Sequence, residues 1–293
     1  MRLAQVDGAG LAVVDGDEVV LVAEADGRPF RLSDVLAGGE PALAAVAEAV
    51  GRPGSSRVGL TRVRLRAPLE RPGKIVAAPV NYVNHMVEMS EVIDIRSLGV
   101  FLKAPTSVTG PGGVVRLPYT DRRVDQEGEL AVVIGQTAHD LPPEEALSVV
   151  FGYTCLLDIT MRGGEDRSLR KSFDTFTPLG PWLVTADEVG DPERLDLTCS
   201  VNGTVRQAAN TRELIWGVAR LVSYVSSAMT LEPGDVIATG TPQGVGPLAH
   251  GDTVEVTIER IGSLSVSVSA AGAVTCPTAG ANRGPVPPPP PDR

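Results

Sequence analysis

Short runs of β-branched and aliphatic residues, each bounded by Gly, Pro or Asp, dominate the chain between Lys74 and Ser269. Runs of this length and composition are typical of β-strands. They do not alternate regularly with helices, so the pattern predicts a mainly β domain with a few helices, an α+β fold. The predicted strands are KIVAAPV (74–80), VVRLP (114–118), GELAVVIG (128–135), PWLVTA (181–186), LDLTCSVNG (195–203), DVIATG (235–240), DTVEVTIERI (252–261) and SLSVSVS (263–269).

Three helices are predicted within this region, over residues 85–97, 142–150 and 212–229. The third follows a possible capping residue, Asn210, and spaces its apolar residues along one face. The residues of that face are Leu214, Val218, Leu221, Val222 and Val225.

The two ends of the chain have different patterns. Residues 9–23 predict a hairpin with its turn near Asp15, and the Ala-rich residues 41–50 predict a helix. Because Pro and Gly cluster at 67–73, we expect a small N-terminal domain (1–70) and a catalytic domain (71–269). Residues 270–293 contain five consecutive prolines, which predicts a disordered tail whose removal leaves activity intact.

Composition and charge narrow the classes of function. Apolar residues make up 43% and charged residues 21% of the 293 positions, as in folded domains. The 26 Lys and Arg against 36 Asp and Glu give a net charge of -10, which argues against a nucleic-acid partner. No apolar run approaches the length of a membrane span, and acidic residues interrupt the N-terminus where a signal peptide needs an apolar stretch. We therefore expect a cytoplasmic enzyme with no membrane partner.

Two glutamates lie two residues apart at the start of an aliphatic strand, in VDQEGELAVVIG. Glu127 and Glu129 share one face of such a strand, so they repel each other unless a cation lies between them. Asp158 is a third acid in an apolar segment, FGYTCLLDITMR. Three oxygen ligands favour Mg²⁺ or Mn²⁺. The alternative is that each acid pairs with an arginine, for which Arg122, Arg123 and Arg162 are available.

Other candidate groups flank these acids. His85 and Glu88 share a helix face if NYVNHMVEM is helical, and could activate a water, although such pairs are more often ordinary surface hydrogen bonds. Lys171 follows in RKSFDTFTPLGPW, where aromatic neighbours could desolvate it for contact with a substrate carboxylate or enolate. The Gly-rich loop after the strand DVIATG, with Gly240 and Thr241, could hold an anion on its backbone N–H groups or form a simple tight turn.

Seven motifs, taken in order, resemble those of the fumarylacetoacetate hydrolase family over residues 74–269. The resemblance implies a mixed β-roll catalytic domain, a homodimer, and a metal-dependent enzyme that acts on a small dioxo or oxo-carboxylate substrate through a metal-stabilised enolate. The motifs are NYVNHMVEM, FLKAPTSVTGPGG, VDQEGELAVVIG, GYTCLLDITMR, KSFDTFTPLGP, VNGTVRQ and LEPGDVIATGTPQGVG.

The resemblance also implies roles for single residues. Mg²⁺ or Mn²⁺ would be held by Glu127, Glu129 and Asp158, and a His85–Glu88 dyad would deprotonate water or substrate. Substrate contacts would come from Arg162, Lys171 and Thr241, with Tyr82 beside the dyad. Two departures are Pro79, where many members have Gly, and a short segment MRGGEDRSLRKSF.

The reaction itself stays open among several that share an enolate. Hydrolysis of a C–C bond in an acylpyruvate or a fumarylacetoacetate-like compound is the first expectation. Decarboxylation, hydration or isomerisation of oxaloacetate or an unsaturated oxo-diacid is the alternative, which would make the protein a lyase or isomerase. A catalytically silent family member is the remaining hypothesis, and the retention of all three acids and of the dyad argues against it.

Overall fold

The structure is a computed structural model that describes residues 1–24, 27–281, 283–284 and 289. Its strands are β1 (Arg2–Val6), β2 (Gly10–Asp15), β3 (Glu18–Leu21), β4 (Arg57–Gly59), β5 (Leu65–Arg66), β6 (Ile75–Ala77), β7 (Phe101–Lys103), β8 (Val108–Thr109), β9 (Val114–Arg116), β10 (Val124–Gln126), β11 (Gly128–Ile134), β12 (Val150–Leu157), β13 (Thr160–Met161), β14 (Thr177–Thr185), β15 (Asp196–Val201), β16 (Thr204–Asn210), β17 (Val236–Ala238), β18 (Gly246–Pro247), β19 (Thr253–Ile258) and β20 (Gly262–Ser269).

The helices are fewer than the strands among the residues that the structure describes. They are α1 (Leu32–Gly51), α2 (Val83–Glu88), α3 (Ile95–Leu98), α4 (Arg167–Arg170), α5 (Ala186–Val189) and α6 (Val218–Ala228). Single 3₁₀ turns lie at Leu60–Arg62, Pro105–Ser107, Ala146–Val149 and Thr211–Glu213. Among the residues described, no helix combines the length and the apolar character needed to cross a membrane.

A twelve-stranded sheet of described residues forms the frame, in the order β4-β3-β2-β1-β14-β12-β11-β17-β6-β7, with β5 beside β1 and β8 beside β14. A five-stranded sheet, β16-β15-β19-β20-β9, and a three-stranded sheet, β13-β10-β18, accompany it. The largest apolar core includes residues from β11 and β12 together with β15, β19 and β20 of the five-stranded sheet. This packing keeps the central strands β11 and β12, which carry the candidate site, buried along their length.

The N-terminal region is part of the same sheet. Strand β1 pairs with β14 antiparallel, with Leu3 opposite Leu183. Leu3 and Leu11 share an apolar cluster with Ile75 and Ala131 from the following region. The boundary predicted near residue 70 therefore does not separate two sheets or two cores, although the predicted hairpin is present as β2 and β3.

The helix predicted over 85–97 is two short helices. Helix α2 ends at Glu88, and Ser90 has a positive φ of 53°, which interrupts helical geometry. Asp94 then caps α3 by accepting a hydrogen bond from the backbone N–H of Arg96. The break matters because it ends α2 directly after the dyad.

The other two predicted helices also shorten. Residues 142–150 contain only a 3₁₀ turn before β12 begins at Val150. In the stretch 212–229, Asn210 caps a 3₁₀ turn and α6 begins only at Val218, so Leu214 lies outside the helix. The predicted apolar face is otherwise buried, and includes Leu221 and Val225.

The first part of the predicted tail packs on the domain. Val274 forms a bridge with Tyr119, and the N–H of Cys276 donates to Asp121 Oδ1 at 2.8 Å. Arg122 donates to the carbonyl of Thr278 at 2.7 Å. The prediction placed the start of the disordered tail at residue 270. The chain packs on the domain beyond that point, because its backbone groups form hydrogen bonds with the domain. Most of the proline run, at 285–288 and 290–293, lies outside the described residues.

We accordingly expect that deletion of residues 270–293 lowers both the melting temperature, by roughly 3 to 10 °C, and turnover. The deletion removes Thr278, one of the two partners of Arg122, and the Gly280 carbonyl that accepts from Gly164 N–H at 2.9 Å. Both contacts hold the segment that follows Arg162. Deletion of residues 285–293 alone is the matched control and should change neither quantity. Equal melting curves and turnover for both truncations would contradict this expectation.

Candidate metal centre and catalytic dyad

Strand register brings the three predicted acids together. Strands β11 and β12 are antiparallel with Gly128 opposite Leu157, which sets Glu127 opposite Asp158. The N–H of Asp158 donates to the carbonyl of Glu127 at 2.8 Å. One carboxylate oxygen from each of Glu127, Glu129 and Asp158 lies within 4.8 Å of the others, and all three side chains are buried. The three predicted acids therefore lie together, with Glu127 directly before β11 and Glu129 within it.

Two lysines neutralise part of this negative charge. Lys171 Nζ donates to Glu127 Oε2 and Thr160 Oγ1, each at 2.7 Å, and to Asp158 Oδ2. Its three ammonium hydrogens thus have three acceptors. Lys103 Nζ donates to Asp158 Oδ1 and has its pKa lowered, because burial outweighs the attraction of that carboxylate. Lys171 is predicted to contact substrate, and it would have to exchange one of these partners to do so.

Arg162 connects the acids to a further carboxylate. Its Nη2 lies 2.9 Å from Glu127 Oε1, and its Nε donates to Asp125 Oδ2 at 2.7 Å. Arg123 pairs with the same Asp125. Burial opposes ionisation of Glu127, but Lys171 and Arg162 outweigh it and hold the pKa of Glu127 well below its usual range. The arginine alternative therefore applies to Glu127.

Glu129 has a different environment. No described arginine or lysine forms an ion pair with it, and its Oε2 accepts only the backbone N–H of Gly240, at 2.8 Å. Burial, and then repulsion from Asp158, raise the pKa of Glu129 well above its usual range. Glu129 is thus a buried carboxylate that lies beside two others and has no ion-pair partner. The alternative in which each acid pairs with an arginine does not explain it.

The donor set fits a hard divalent cation. All three candidate ligands are carboxylates, the donors that Mg²⁺ and Mn²⁺ prefer over the Cys and His ligands typical of zinc. The residues present thus fit Mg²⁺ or Mn²⁺, and they do not distinguish the two.

The predicted dyad is formed on α2. His85 Nδ1 lies 3.1 Å from Glu88 Oε2, and Glu88 Oε1 accepts the backbone N–H of Gly244 at 2.8 Å. A proton on Nδ1 is donated to Glu88, which leaves the lone pair on Nε2. His85 is buried and lines the cavity that Glu127 and Glu129 also line. This geometry suits a general base oriented by a carboxylate.

The glycine-rich loop 240–244 binds carboxylates of the protein itself. Its first N–H, from Gly240, holds Glu129, and its last, from Gly244, holds Glu88. Both glycines have positive φ, 98° and 100°, which favours glycine. Thr241 Oγ1 donates to the Gly128 carbonyl at 3.0 Å and accepts from Gln207 Nε2 at 2.7 Å. The backbone N–H groups of the loop thus hold anionic groups, as one of the two sequence-based alternatives expected, but these anions are carboxylates of the protein itself.

Asn81 fixes the approach of α2 to this loop. Its Nδ2 donates to the carbonyls of Thr239 (2.8 Å) and Trp216 (3.0 Å), and its Oδ1 accepts from Trp216 N–H (2.8 Å). Tyr82 precedes α2 and is buried, so its pKa is raised, first by burial and then by the charge of Glu129. Tyr82 is not among the cavity-lining residues.

One cavity contains most of the predicted groups. Its lining includes His85, Glu127, Glu129, Arg162, Lys171 and Thr241, whereas Tyr82, Glu88, Asp158 and Gly240 support it from behind. Pro79 and Val80 line it beside α2, where Val80 has a positive φ of 46° that is unusual for a β-branched residue.

Sequence reasoning missed several groups of this site. Lys103 and Asp125 hold Asp158 and Arg162, and Gln207 joins the N–H of Gly128 to the loop. A lysine in the apolar strand segment FLKAP was the available signal for Lys103. Arg170, which also lines the cavity, gave no pattern that separates it from the other basic residues of its segment.

Comparison with known proteins identifies the family of the chain. The family model described as Fumarylacetoacetate (FAA) hydrolase C-terminal matches residues 74–269. A maleylpyruvate hydrolase of Aquipseudomonas alcaligenes is 44% identical over 284 residues, covering 92% of this chain and 99% of that protein. An oxaloacetate tautomerase of Bacillus subtilis (strain 168) is 37% identical over 281 residues, covering 86% and 93%.

A solved structure gives the same result for the fold. The crystal structure of maleylpyruvate hydrolase from Sphingobium sp. SYK-6 in complex with manganese (II) ion and pyruvate matches with a TM-score of 0.81 at 40% identity, covering 92% of this chain and 99% of that chain. The predicted α+β fold class is confirmed. With the family model matching about two thirds of its length, the chain belongs to the fumarylacetoacetate hydrolase family.

Proposed function

We propose that this protein is a divalent-metal-dependent hydrolase that cleaves a C–C bond of a small acylpyruvate. The observation that carries the proposal is the convergence of three buried carboxylates and a His–Glu pair on one cavity. The relative and the solved structure named as maleylpyruvate hydrolases support the same substrate class. Glu127, Glu129 and Asp158 would hold Mg²⁺ or Mn²⁺, which would supply Lewis-acid polarisation of the substrate oxygens.

The residues of the dyad then perform the proton chemistry. His85 Nε2 takes a proton from water, and the hydroxide adds to the acyl carbonyl carbon. The C–C bond breaks, its electron pair remains on the methylene carbon of the pyruvate fragment, and a proton completes pyruvate. Glu88 keeps Nδ1 protonated and stabilises the imidazolium, while the N–H of Gly244 holds Glu88 in place.

Isomerisation of an oxo-diacid such as oxaloacetate is the second candidate function. The relative named as an oxaloacetate tautomerase supports it, and the same base could move a proton between carbon and the medium without adding water. The two functions differ in product, because hydrolysis releases two fragments and isomerisation releases none.

The proposal includes the assembly and the location expected from the sequence. We propose a homodimer in the cytoplasm, and the resemblance to the fumarylacetoacetate hydrolase family supports the dimer. Light scattering of the purified full chain measures the mass of the assembly.

The test is a substrate panel of acylpyruvates, oxaloacetate and unsaturated homoprotocatechuate-type diacids, each with Mg²⁺, with Mn²⁺ and with chelator. We expect an acylpyruvate to yield stoichiometric pyruvate with metal, and chelator to abolish this activity. Interconversion of oxaloacetate tautomers without pyruvate release from any acylpyruvate would favour the second candidate. Full acylpyruvate hydrolysis in chelator would remove the metal from the proposal.

A further inference from the structure

Arg170 is the most unusual cation of the cavity. It ends α4, directly before Lys171, and only 5% of it is exposed. Its Nε is buried without a hydrogen-bond partner, and no carboxylate of the described chain pairs with its guanidinium. Glu91 lines the same cavity, yet it forms no ion pair with Arg170. The side chain is therefore a buried charge that lacks its anion.

The other buried cationic side chains at this site already have acceptors within the protein. Arg162 is bound by Asp125 and Glu127, and Lys171 has three acceptors. Arg167 also lines the cavity and forms no ion pair, and its guanidinium lies 6.0 Å from the ring centre of Phe101. Among the cavity-lining residues described, Arg167 and Arg170 are thus the cations with unused donors.

The surrounding protein disfavours the positive charge of Arg170. Burial, and then repulsion from Arg162 and Arg167, lower the pKa of Arg170 and outweigh the attraction of Glu127 and Asp158. An unpaired buried charge costs stability, and titratable groups perturbed by burial cluster at functional sites. A guanidinium fork matches a carboxylate with two parallel hydrogen bonds.

We propose that Arg170, assisted by Arg167, binds a second carboxylate of the substrate, remote from its oxo-acid end, and so selects diacids over monoacids. This inference rests on the proposed function, since it assigns the far end of the acylpyruvate. It makes Arg170 a specificity-determining residue, whereas Glu127, Glu129, Asp158 and the dyad serve the reacting end.

The test compares Arg170→Met with the parent on two acylpyruvates of equal length, one ending in a carboxylate and one in a methyl group. We expect kcat/KM for the diacid to fall about 10- to 100-fold, mainly through KM, and kcat/KM for the monoacid to change less than threefold. Arg170→Lys should retain an intermediate preference for the diacid, because it keeps the charge and loses the fork. Arg194→Met, on the exposed surface, is the control.

Two further measurements separate this inference from folding defects and from the proposed function. The melting temperature of Arg170→Met should equal or exceed that of the parent, because the variant removes an unpaired buried charge. Calorimetry with maleate, a non-reacting diacid, should show binding to the parent that Arg170→Met loses, even if no acylpyruvate is hydrolysed. Equal losses on both substrates, or maleate binding unchanged in the variant, would overturn the inference.

Discussion

Replacing Glu129 with glutamine is expected to abolish turnover and to remove the rise in melting temperature that Mg²⁺ or Mn²⁺ gives the parent. A ligand that binds only the folded state stabilises it in proportion to its occupancy, so loss of one of three carboxylate ligands removes most of that effect. Glutamine can still accept the N–H of Gly240, which keeps the loop in place. Alanine at this position should have the same effect on metal binding.

The metal-free proteins provide the sharper comparison. Glu129 is buried beside Asp158 without a cation of its own, so its charge opposes folding when no metal is bound. The metal-free Glu129→Gln variant should therefore be at least as stable as the metal-free parent. Glu255→Gln, on the exposed face of β19, is the control and should behave as the parent throughout. A variant stabilised by metal as strongly as the parent would show that Glu129 is not a ligand.

Replacing His85 with alanine is expected to lower turnover of a hydrolysed substrate by roughly 10² to 10⁴, because the variant lacks the group that takes the proton from water. Glu88→Gln should cause part of this loss, since the amide can still contact Nδ1 but no longer stabilises the imidazolium. Steady-state kinetics of the parent and both variants measure the effect. His139→Ala, in an exposed turn, is the matched control.

The dyad variants should also separate base chemistry from metal binding. Neither residue belongs to the acid cluster, so the calorimetric metal affinity should change little. Loss of CO₂ from a chelated oxo acid needs no activated water, so a decarboxylation would be less sensitive to His85→Ala than a hydrolysis. Near-normal hydrolysis by His85→Ala would exclude the dyad and leave the metal proposal standing.

Local patterns predicted the parts of the site that depend on spacing within one element. Glu127 and Glu129 share a face because side chains alternate in a strand, and His85 and Glu88 meet because they lie three residues apart on a helix. The hairpin of β2 and β3 followed from its turn residues in the same way. The order of seven motifs then identified the family, which spacing alone could not do.

Features set by distant packing were not predictable from these patterns. The chain leaves helical geometry at Ser90, although the residues from 85 to 97 are compatible with one helix. Strand β1 pairs with β14, almost 180 residues later, so the N-terminal residues extend the central sheet. Neither the pairing of β1 with β14 nor the helix break at Ser90 can be predicted from the neighbouring residues alone.

The pairing of buried charged residues was also not predictable from the sequence. The segments of Lys103 and Arg170 do not show which acid each residue contacts, and only the fold shows that Lys103 pairs with Asp158 while Arg170 has no carboxylate partner among the described residues. Sequence spacing predicts which residue types lie near a site. Which acid pairs with which base depends on the three-dimensional structure.

The loop 240–244 has a consequence for how this enzyme can diversify. A single five-residue segment orients both a candidate metal ligand, Glu129, and the partner of the candidate base, Glu88, through its two terminal glycines. Metal affinity and the orientation of the base therefore depend on the same loop, and a shift of its backbone would change both. Neither property can be tuned here by small steps without altering the other. New specificities would arise more readily where α4 lines the cavity, because its side chains hold neither Glu129 nor Glu88.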